Sequence, residues 1–452
     1  MNRTTILMVI LALGTAASAW TLRPQKFDHT VFRDEGAPLF PEFTDAEMAA
    51  TLDVVVWSDD DAQALRFSVT QKEGRWVIPT HHDYPADGTD QMGKAAASFV
   101  DVKMDRYYSD DASEHRAFGV LDPEGSVGEG DEKGRRITIK NAKNSVVVDI
   151  IVGKQVEGRQ GFYYCRKPDE KRVYGSAIDL KVSTDFADWI EKDLLKVERD
   201  DFVRMNYDPY RVDETLREVI GRDPILAVVA DESLTDRTEW KLFDEFSQVG
   251  AGTLDSVKVR GILTAMAALK IVGVRPRLPV GNDRNSRTMQ MLQLRERGFF
   301  VSGQNELLGN EGMVQGTTFD GVVYSLFFGE VTYETGIALT GGVDDDKKAA
   351  GDEAGDDAAG DEGGSGGADG AEDTKKTASR FMFINVSYDP AADATADGRV
   401  PVPVPEEGEP AYVPGPQRAE QLNARFQQWF YVISDTSFQQ VHKDRAELFK
   451  GG

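Results

Sequence analysis

Cysteine, histidine and basic residues are scarce in this chain of 452 residues. The single cysteine, Cys165, excludes an intramolecular disulfide. Lysine and arginine number 52 against 77 acidic residues, and the net charge of -25 argues against electrostatic binding to nucleic acid or to an anionic membrane surface. The length allows two or three domains, which packed cores must stabilise without help from disulfides.

Sequence motifs for common catalytic mechanisms are also missing. No Gly-x-Ser-x-Gly sequence stands between a predicted strand and helix, as a nucleophile elbow requires, and phosphate-loop and dinucleotide fingerprints are absent. The acidic run Asp344-Asp345-Asp346 lacks the glycine and terminal carboxylate of a calcium loop. We therefore predict a protein that is not an enzyme, without catalytic, cofactor-binding or metal-binding residues and without a cofactor.

One apolar run is prominent, at residues 6–20 near the N-terminus. Arg3 precedes the run, and Ala17 and Ala19 have the small-x-small spacing of a signal-peptide cleavage site. The run is shorter than the roughly 20 residues that span a bilayer comfortably. The alternatives for residues 1–20 are a cleaved signal peptide and a retained membrane anchor, and we prefer the anchor.

Both alternatives predict that the rest of the chain is exported. An exported protein of this size without disulfides fits a bacterial envelope better than a disulfide-rich secretory pathway. We predict a location on the periplasmic side of the bacterial inner membrane, anchored through the N-terminal segment, or in the soluble periplasm if the leader is cleaved. The N-terminal segment is then the only predicted contact with the membrane.

A first α+β unit is predicted at residues 51–200, after a connector at 21–50. Alternating apolar residues predict strands at 52–56, 65–69 and 76–78, the last of which carries Trp76. Helical spacing after Asp87, a candidate N-cap, predicts a helix at about 87–102. Further strands are predicted at 136–140, 146–152, 162–166 and 172–176, followed by a helix at 186–197.

A second unit is predicted to begin at residue 201, with its first part at 201–342. It has a strand at 225–229, a strand carrying Trp240, a helix from Asp255 to about 272, and a strand at 322–330. Both units contain the same order of elements: a strand that carries Trp, a helix capped by Asp, a turn with Gly and aromatic residues, and a strand that ends in Gly. We interpret this recurrence as a tandem duplication; chance similarity of two α+β stretches is the alternative.

Residues 343–379 form an acidic Gly/Ala/Asp tract that has almost no apolar residues and is predicted to be disordered. Predicted strands on both sides, the second at 380–388, make it an insertion in a hairpin. A Pro-rich segment at 389–416 and predicted helices at 417–452 close the second unit. The predicted fold class is therefore α+β, with two tandem related units of mostly antiparallel strands, one or two helices in each, and the disordered insertion.

Three groups of side chains are candidate sites. His81, His82 and Asp83 are the densest set of metal-ligand types, but further ligands are not evident, and we expect a solvated loop. Cys165 lies in a predicted strand without a nearby histidine base, which favours a buried structural thiol over a nucleophile. Trp76 and Trp240 are expected in the core, and an aromatic ligand platform is the alternative.

Several motifs resemble the domain of unknown function 4340 family: GRWVIP at residues 74–79, YPAD at 84–87, FGVLDP at 118–123 and IVGK at 151–154. The resemblance covers roughly residues 52–202 and is weaker over the second unit. It implies an N-terminal membrane segment followed by exported α+β repeats. Because some members are encoded beside ABC-transporter permeases and gliding-motility-type proteins, it also implies an accessory role in an envelope complex. The family has no established catalytic residues to carry over.

The predicted function is that of a non-enzymatic, exported accessory protein of a bacterial envelope complex. It would act through protein-protein binding, with a membrane protein such as a transporter permease as partner. The alternative is an envelope module that binds carbohydrate or peptidoglycan, which requires exposed aromatic rings flanked by polar groups.

Overall fold

The computed structural model describes residues 35–59, 61–213, 218–221, 225–231, 238–243, 252–279, 283–304, 306–334, 339–341, 378–404 and 411–450. The chain divides into two compact units, each assembled from separated parts of the sequence. Among the described residues, the first unit comprises those within 35–48, 55–64 and 96–181, and the second comprises those within 49–54, 65–95 and 182–450. These units and the predicted tandem units divide the chain at different residues, and the duplication stays a prediction.

The first unit contains an antiparallel run of five strands. Along the sheet their order is β6-β7-β8-β9-β5. Their bounds are Arg106–Ser109 (β5), Arg135–Asn141 (β6), Val146–Gln155 (β7), Phe162–Arg166 (β8) and Val173–Ala177 (β9). One short helix, α2 (His115–Phe118), ends at Gly119 in the left-handed conformation that glycine adopts without strain. Val120, Ile151 and Val173 form a buried cluster beside these strands.

The division between the units passes through β1 (Ala49–Ser58), β2 (Gln63–Lys72) and the helix α1 (Thr89–Ala97). In the second unit, β3 (Arg75–Ile78) pairs with β2 on one side and with β4 (Tyr84–Pro85) on the other. The strand β4 contains the first two residues of the YPAD motif and ends there. The chain can therefore bend at this point and direct side chains of the motif into the unit.

The second unit also holds an eight-stranded antiparallel sheet in the order β14-β13-β10-β18-β19-β20-β21-β15. The strand bounds are Phe202–Asp208 (β10), Leu226–Ala230 (β13), Trp240–Leu242 (β14), Gly273–Pro276 (β15), Met313–Thr318 (β18), Asp320–Thr332 (β19), Ser379–Asp393 (β20) and Trp429–Ser434 (β21). Two small hairpins accompany it, Arg211–Asp213 (β11) with Glu218–Ile220 (β12), and Phe299–Val301 (β16) with Leu307–Gly309 (β17).

The core of the second unit lies around the middle of this sheet. All of the first ten residues of β19 are buried, as expected of a strand covered on both faces. In the described part of this unit, four helices accompany the sheet: α3 (Ser256–Ala267), α4 (Arg284–Glu296), α5 (Gly415–Phe426) and α6 (Asp435–Val441). A buried aromatic cluster joins α4 to the sheet and consists of Leu294, Phe299, Phe327, Phe383 and Phe430.

The mixed α+β class with mostly antiparallel strands is confirmed. The predicted strands of the first unit correspond to β1, β2, β3, β6, β7, β8 and β9, and the helix capped by Asp255 is α3. β19 and β20 pair with one another, so the acidic tract does connect two neighbouring antiparallel strands. The tract from residue 342 to 377 and the N-terminal apolar run lie outside the described residues.

Three helix predictions were wrong in type or extent. The first helix begins at Thr89 instead of Asp87 and ends at Ala97. Residues 186–197 form only a single 3-10 turn, Phe186–Asp188, followed by irregular chain. There the Asp185 carboxylate accepts a hydrogen bond from the Ala187 amide, and the Ser183 hydroxyl donates to Asp188. Such local hydrogen bonds compete with a regular helix.

The third error concerns Trp429 and Phe430, which were assigned to a C-terminal helix but lie in the strand β21. The run from Trp429 to Ser434 contains aromatic and β-branched residues, which favour a pleated strand over a helix. This strand pairs with β20 on one side and with β15 on the other. Across the part of the chain that the structure describes, no helix is long and apolar enough to span a membrane.

Candidate functional site

The solvated loop expected at residues 81–83 is wrong for His81, which is buried, and right for His82 and Asp83, which are exposed. His81 is 1% exposed, and its ring stacks on Phe186 at a centroid distance of 4.6 Å. Its Nε2 atom lies 2.8 Å from the Thr340 hydroxyl. Burial, followed by the charges of His82 and Arg275, lowers the pKa of His81 to about 4. The expectation failed because both ring nitrogens find hydroxyl partners inside the second unit.

His82 and Asp83, the other two residues of that cluster, are exposed, and each makes a specific polar contact. His82 adopts a left-handed backbone conformation with φ of 57°, and its Nε2 lies 2.7 Å from the Gly341 carbonyl oxygen. Asp83 forms an ion pair of 2.6 Å with Lys72. Within the described ranges, no group of three metal-ligand side chains is close enough to hold an ion.

Cys165 is fully buried in β8, as predicted for a structural thiol. The thiol donates a hydrogen bond of 3.3 Å to the Ser176 hydroxyl on β9. Burial raises the pKa of this thiol to about 12, so almost none of it is thiolate at neutral pH. This environment disfavours nucleophilic chemistry at Cys165.

Trp76 and Trp240 differ in how deeply they are buried. Trp240 is 6% exposed, and Trp76 is half-buried. A Cβ atom at Gly88 would lie only 3.2 Å from the Trp76 ring, so glycine at this position allows the chain to pass over the indole. The burial of Trp240 confirms the core assignment for that residue. The acidic run at residues 344–346 lies outside the described residues.

A cavity of about 340 Å³ within the second unit has the YPAD motif in its lining. Three separate parts of the sequence line it: residues 84–87, Glu191 with Lys196, and Arg425 with Trp429 and Tyr431. Its interior is formed by aromatic rings, whereas Pro85 and Asp87 are exposed at its rim. We call this feature the Arg425 cavity.

The YPAD motif forms one wall of the Arg425 cavity through ordinary backbone hydrogen bonds. The Ala86 amide donates to the Trp76 carbonyl oxygen at 2.9 Å, and the Asp87 amide donates to that of Trp189 at 2.8 Å. These bonds turn the Tyr84 ring inward, where it is 5% exposed and contacts Trp429 edge-on at 5.0 Å. The motif therefore positions an aromatic wall.

The opposite wall comes from α5 and β21. Arg425 lies in the last turn of α5, where a cation interacts favourably with the helix dipole. Trp429 and Tyr431 follow on β21, two residues apart, and therefore project to the same face of the strand. The side chains of Arg425 and Tyr431 thus reach the cavity from adjoining elements.

The charged groups of the Arg425 cavity are only partly neutralised. Glu191 and Lys196 form an ion pair of 3.1 Å. Although burial opposes the change, the hydrogen bond and charge of Lys196 and the charge of Arg425 lower the pKa of Glu191. The guanidinium of Arg425 makes no salt bridge with a carboxylate among the described residues, but it hydrogen-bonds the Tyr84 hydroxyl.

Two phenol groups lie deep in the cavity. Tyr431 is 0% exposed, and its hydroxyl donates a hydrogen bond to that of Tyr84. Burial raises the pKa of Tyr431 well above its ordinary value, and the nearby Tyr84 contributes. Burial also raises the pKa of Tyr84, against the opposing effect of Arg425. Both phenols therefore remain neutral and can donate a hydrogen bond at physiological pH.

Residues 76–290 match the family described as Domain of unknown function (DUF4340). These residues therefore carry a DUF4340 domain. The matched region includes the YPAD motif, Glu191 and Lys196, whereas Arg425, Trp429 and Tyr431 lie beyond it. No curated protein and no solved structure matches the chain significantly. The Arg425 cavity therefore combines residues of the DUF4340 region with residues that follow it in sequence.

Sequence reasoning had singled out the YPAD motif but missed Arg425 and Tyr431. The motif gave no indication of a partner wall because more than three hundred residues separate it from β21. One signal was available, namely the aromatic and β-branched run at residues 429–433, which is typical of a strand. Recognising that strand would have placed Trp429 and Tyr431 on one face.

Proposed function

We propose that this DUF4340 protein is a non-enzymatic, exported accessory protein of a bacterial envelope complex, which binds a protein partner through the Arg425 cavity. The observation that supports it most directly is the composition of the cavity wall, which presents Tyr84, Arg425 and Trp429. Tyrosine, arginine and tryptophan dominate the residues that contribute most to protein-protein affinity. A transporter permease is the proposed partner, and the N-terminal segment provides the proposed membrane contact.

The ionisation of the cavity residues supports binding over catalysis. A general acid or base works best with a pKa near the operating pH. In the Arg425 cavity the pKa of Glu191 is lowered, and the pKa values of Tyr84 and Tyr431 are raised. All three changes move the pKa values away from neutral pH. Glu191 therefore keeps its charge and both phenols keep their protons, as suits a binding site.

The alternative of carbohydrate binding has less support. Such sites present the open face of an aromatic ring to the sugar, flanked by polar groups. Trp240 is 6% exposed and Trp429 is 8% exposed, so neither indole offers an open ring face at the surface. Protein binding is the better proposal for this surface.

The proposal is tested by photo-cross-linking in living cells. A photoreactive p-benzoyl-phenylalanine replaces Asp87 at the rim of the cavity, and a second strain carries it at Arg284, an exposed residue at the start of α4. Mass spectrometry of the membrane fraction identifies the adducts. We expect an envelope protein to be captured from position 87 only, and Arg425→Gln to reduce the yield.

Two results would contradict the proposal. One is the absence of any adduct at position 87 under conditions where a positive control cross-links. The other is an identical set of adducts from positions 87 and 284, which would show nonspecific contact with abundant envelope proteins.

A further inference from the structure

We propose that the helix α4 docks on an anionic phospholipid surface, with its arginines on the lipid phosphates and its exposed methionine and leucine side chains at the edge of the acyl chains. The proposal uses none of the residues that line the Arg425 cavity. It adds a second membrane contact to the one predicted for the N-terminal segment, and it departs from the expectation drawn from the net charge of the whole chain.

Residues 271–300 form a basic stretch in an acidic protein. They contain six arginines against two carboxylates, Asp283 and Glu296, so their net charge is +4, whereas that of the chain is -25. The Asp283 carboxylate accepts hydrogen bonds from the amide and the hydroxyl of Ser286. Glu296 forms an ion pair of 3.7 Å with Arg297. Because salt screens distant charges, the local charge decides whether this stretch is attracted to an anionic surface.

Two cations, Arg284 and Arg287, lie near the start of α4. Both side chains are exposed, and neither forms a salt bridge within the described part of the chain. The N-terminal end of a helix carries a partial positive charge, so cations there destabilise the helix. The first turn of α4 holds no acidic residue to offset them. An external anion therefore explains their position better than the stability of α4 does.

An open depression on the exposed side of α4 combines charged and apolar groups. It is lined by Arg284, Arg287, Thr288 and Met291. A guanidinium group binds phosphate oxygens through two parallel N–H donors. Because residues three apart are neighbours on a helix surface, the two arginines can hold one phosphate between them. The Met291 thioether adds an apolar contact. A phospholipid headgroup, which is a phosphate diester joined to hydrocarbon, matches both parts of the depression.

Exposed apolar side chains continue from this depression along α4. Met289, Met291 and Leu292 are 55%, 52% and 48% exposed. Leu278, beside the helix, is 41% exposed, and its amide donates a hydrogen bond of 2.9 Å to the Gln293 side chain. Neighbouring apolar side chains in water are unfavourable, and contact with the hydrocarbon boundary of a bilayer removes this cost. Helices that lie on membranes use the same combination of basic and apolar side chains.

The order of these side chains favours a lipid surface over an acidic protein. Positions 284, 291 and 295 hold Arg, Met and Arg, and they fall on one stripe of the helix because seven and four residues separate them. On a bilayer, long arginine side chains reach the phosphates while their carbon stems lie against hydrocarbon. An acidic protein surface would satisfy the arginines but has no acyl chains for the neighbouring methionine and leucine.

The proposal is tested with a fluorescent label on the outward face of α4. Thr288→Cys provides an exposed thiol, and the single native cysteine, Cys165, is fully buried and does not compete for a thiol-specific label. The full-length protein carries the environment-sensitive dye NBD and is reconstituted into nanodiscs of phosphatidylcholine, alone or mixed with phosphatidylglycerol. Because both nanodiscs accept the N-terminal segment, a difference between them reports contact by the labelled face. Thr436→Cys, at an exposed position of α6, carries the matched control label.

We expect the label at position 288 to emit at shorter wavelength, and to be quenched by nitroxide-labelled acyl chains, when phosphatidylglycerol is present. The label at position 436 should show neither change. An arginine near an anionic surface strengthens the contact roughly fivefold, so Arg284→Gln with Arg287→Gln should lower the ratio of docked to undocked protein roughly thirtyfold. Leu292→Gln should lower it roughly tenfold. Arg75→Gln, which removes an exposed arginine of β3, should leave the ratio unchanged.

An unchanged emission at position 288 with phosphatidylglycerol would overturn the proposal, as would equal changes at positions 288 and 436. A response that survives the double arginine substitution would do the same. Leu292→Gln is a separate test because it leaves every charge in place, and undiminished docking in this variant would show that α4 does not reach the acyl boundary.

The cellular cross-linking experiment separates the two candidate occupants of α4. A protein adduct from position 284, without a response to phosphatidylglycerol at position 288, would identify an acidic protein as the occupant and refute the lipid. Neither result affects the adducts expected from position 87, so failure at α4 and failure of the proposed function are distinguishable.

Discussion

Acid should destabilise the second unit through His81, which is buried as the neutral imidazole. The unfolded chain takes up a proton at its ordinary pKa of 6.5, whereas the folded protein resists protonation until about pH 4. Stability is therefore fully present above pH 6.5 and is lost as the pH falls from 6.5 towards 4. Each pKa unit corresponds to about 1.4 kcal/mol, so the total contribution is about 3 kcal/mol.

At pH 5 about 2 kcal/mol of this contribution should already be lost. His442 adds a similar amount, because burial and the charges of Arg380 and Arg211 lower its pKa to about 4 as well. Native-state hydrogen exchange of the β2 and β3 amides, measured at pH 7 and pH 5 and corrected for intrinsic rates, reports the opening free energy of this region. His81→Phe keeps a ring against Phe186 but cannot titrate, and should remove about half of the difference.

The matched control is Val69→Ala, which shortens a fully buried side chain on β2 and should lower the opening free energy equally at both pH values. An opening free energy that depends on pH as strongly in His81→Phe as in the parent protein would refute the reasoning. It would show that the burial of the imidazole does not determine the acid sensitivity of this unit.

Further predictions concern small side-chain changes in the second unit. Tyr431→Phe should lower the midpoint of thermal unfolding by an amount that corresponds to about 1 kcal/mol, because it removes the hydrogen bond that this buried hydroxyl donates to Tyr84; a raised midpoint would contradict this. Gly415→Ala should destabilise the unit by several kcal/mol in urea titration, since its Cβ would lie 1.9 Å from the Asp320 carbonyl oxygen. Gly261→Ala, in an exposed part of α3 with no atom within 4 Å of the new Cβ, should instead stabilise it by about 1 kcal/mol, and equal effects of the two substitutions would refute the steric explanation.

Local patterns in the sequence predicted most of the individual elements. The strand containing Cys165 and the helix capped by Asp255 followed from alternation and capping signals within a few residues of each element. Residues 186–197 failed because apolar spacing alone does not reveal that Asp185 and Ser183 hydrogen-bond locally. Trp429 was misassigned because a short apolar run allows either a helix or a strand.

The candidate site was less accessible to sequence reasoning than the fold class. Tyr84 belongs to a motif that stood out, but its contact with Trp429 depends on chain pairing across most of the second unit. No periodicity in a single sequence records such a pairing. His81 shows the same limit, since the burial of its ring depends on Phe186 and Thr340, which are distant in sequence.

The position of β21 has a consequence for the order in which the protein is made. This strand occupies an interior place in the eight-stranded sheet, between β20 and β15, although it begins at Trp429 near the end of the sequence. A nascent chain that has not yet been synthesised to this point leaves both neighbouring strands with an unpaired edge, which is prone to association with other chains. Completion of the sheet must therefore wait until residues 429–434 have been synthesised, after all of the other strands of this sheet are available.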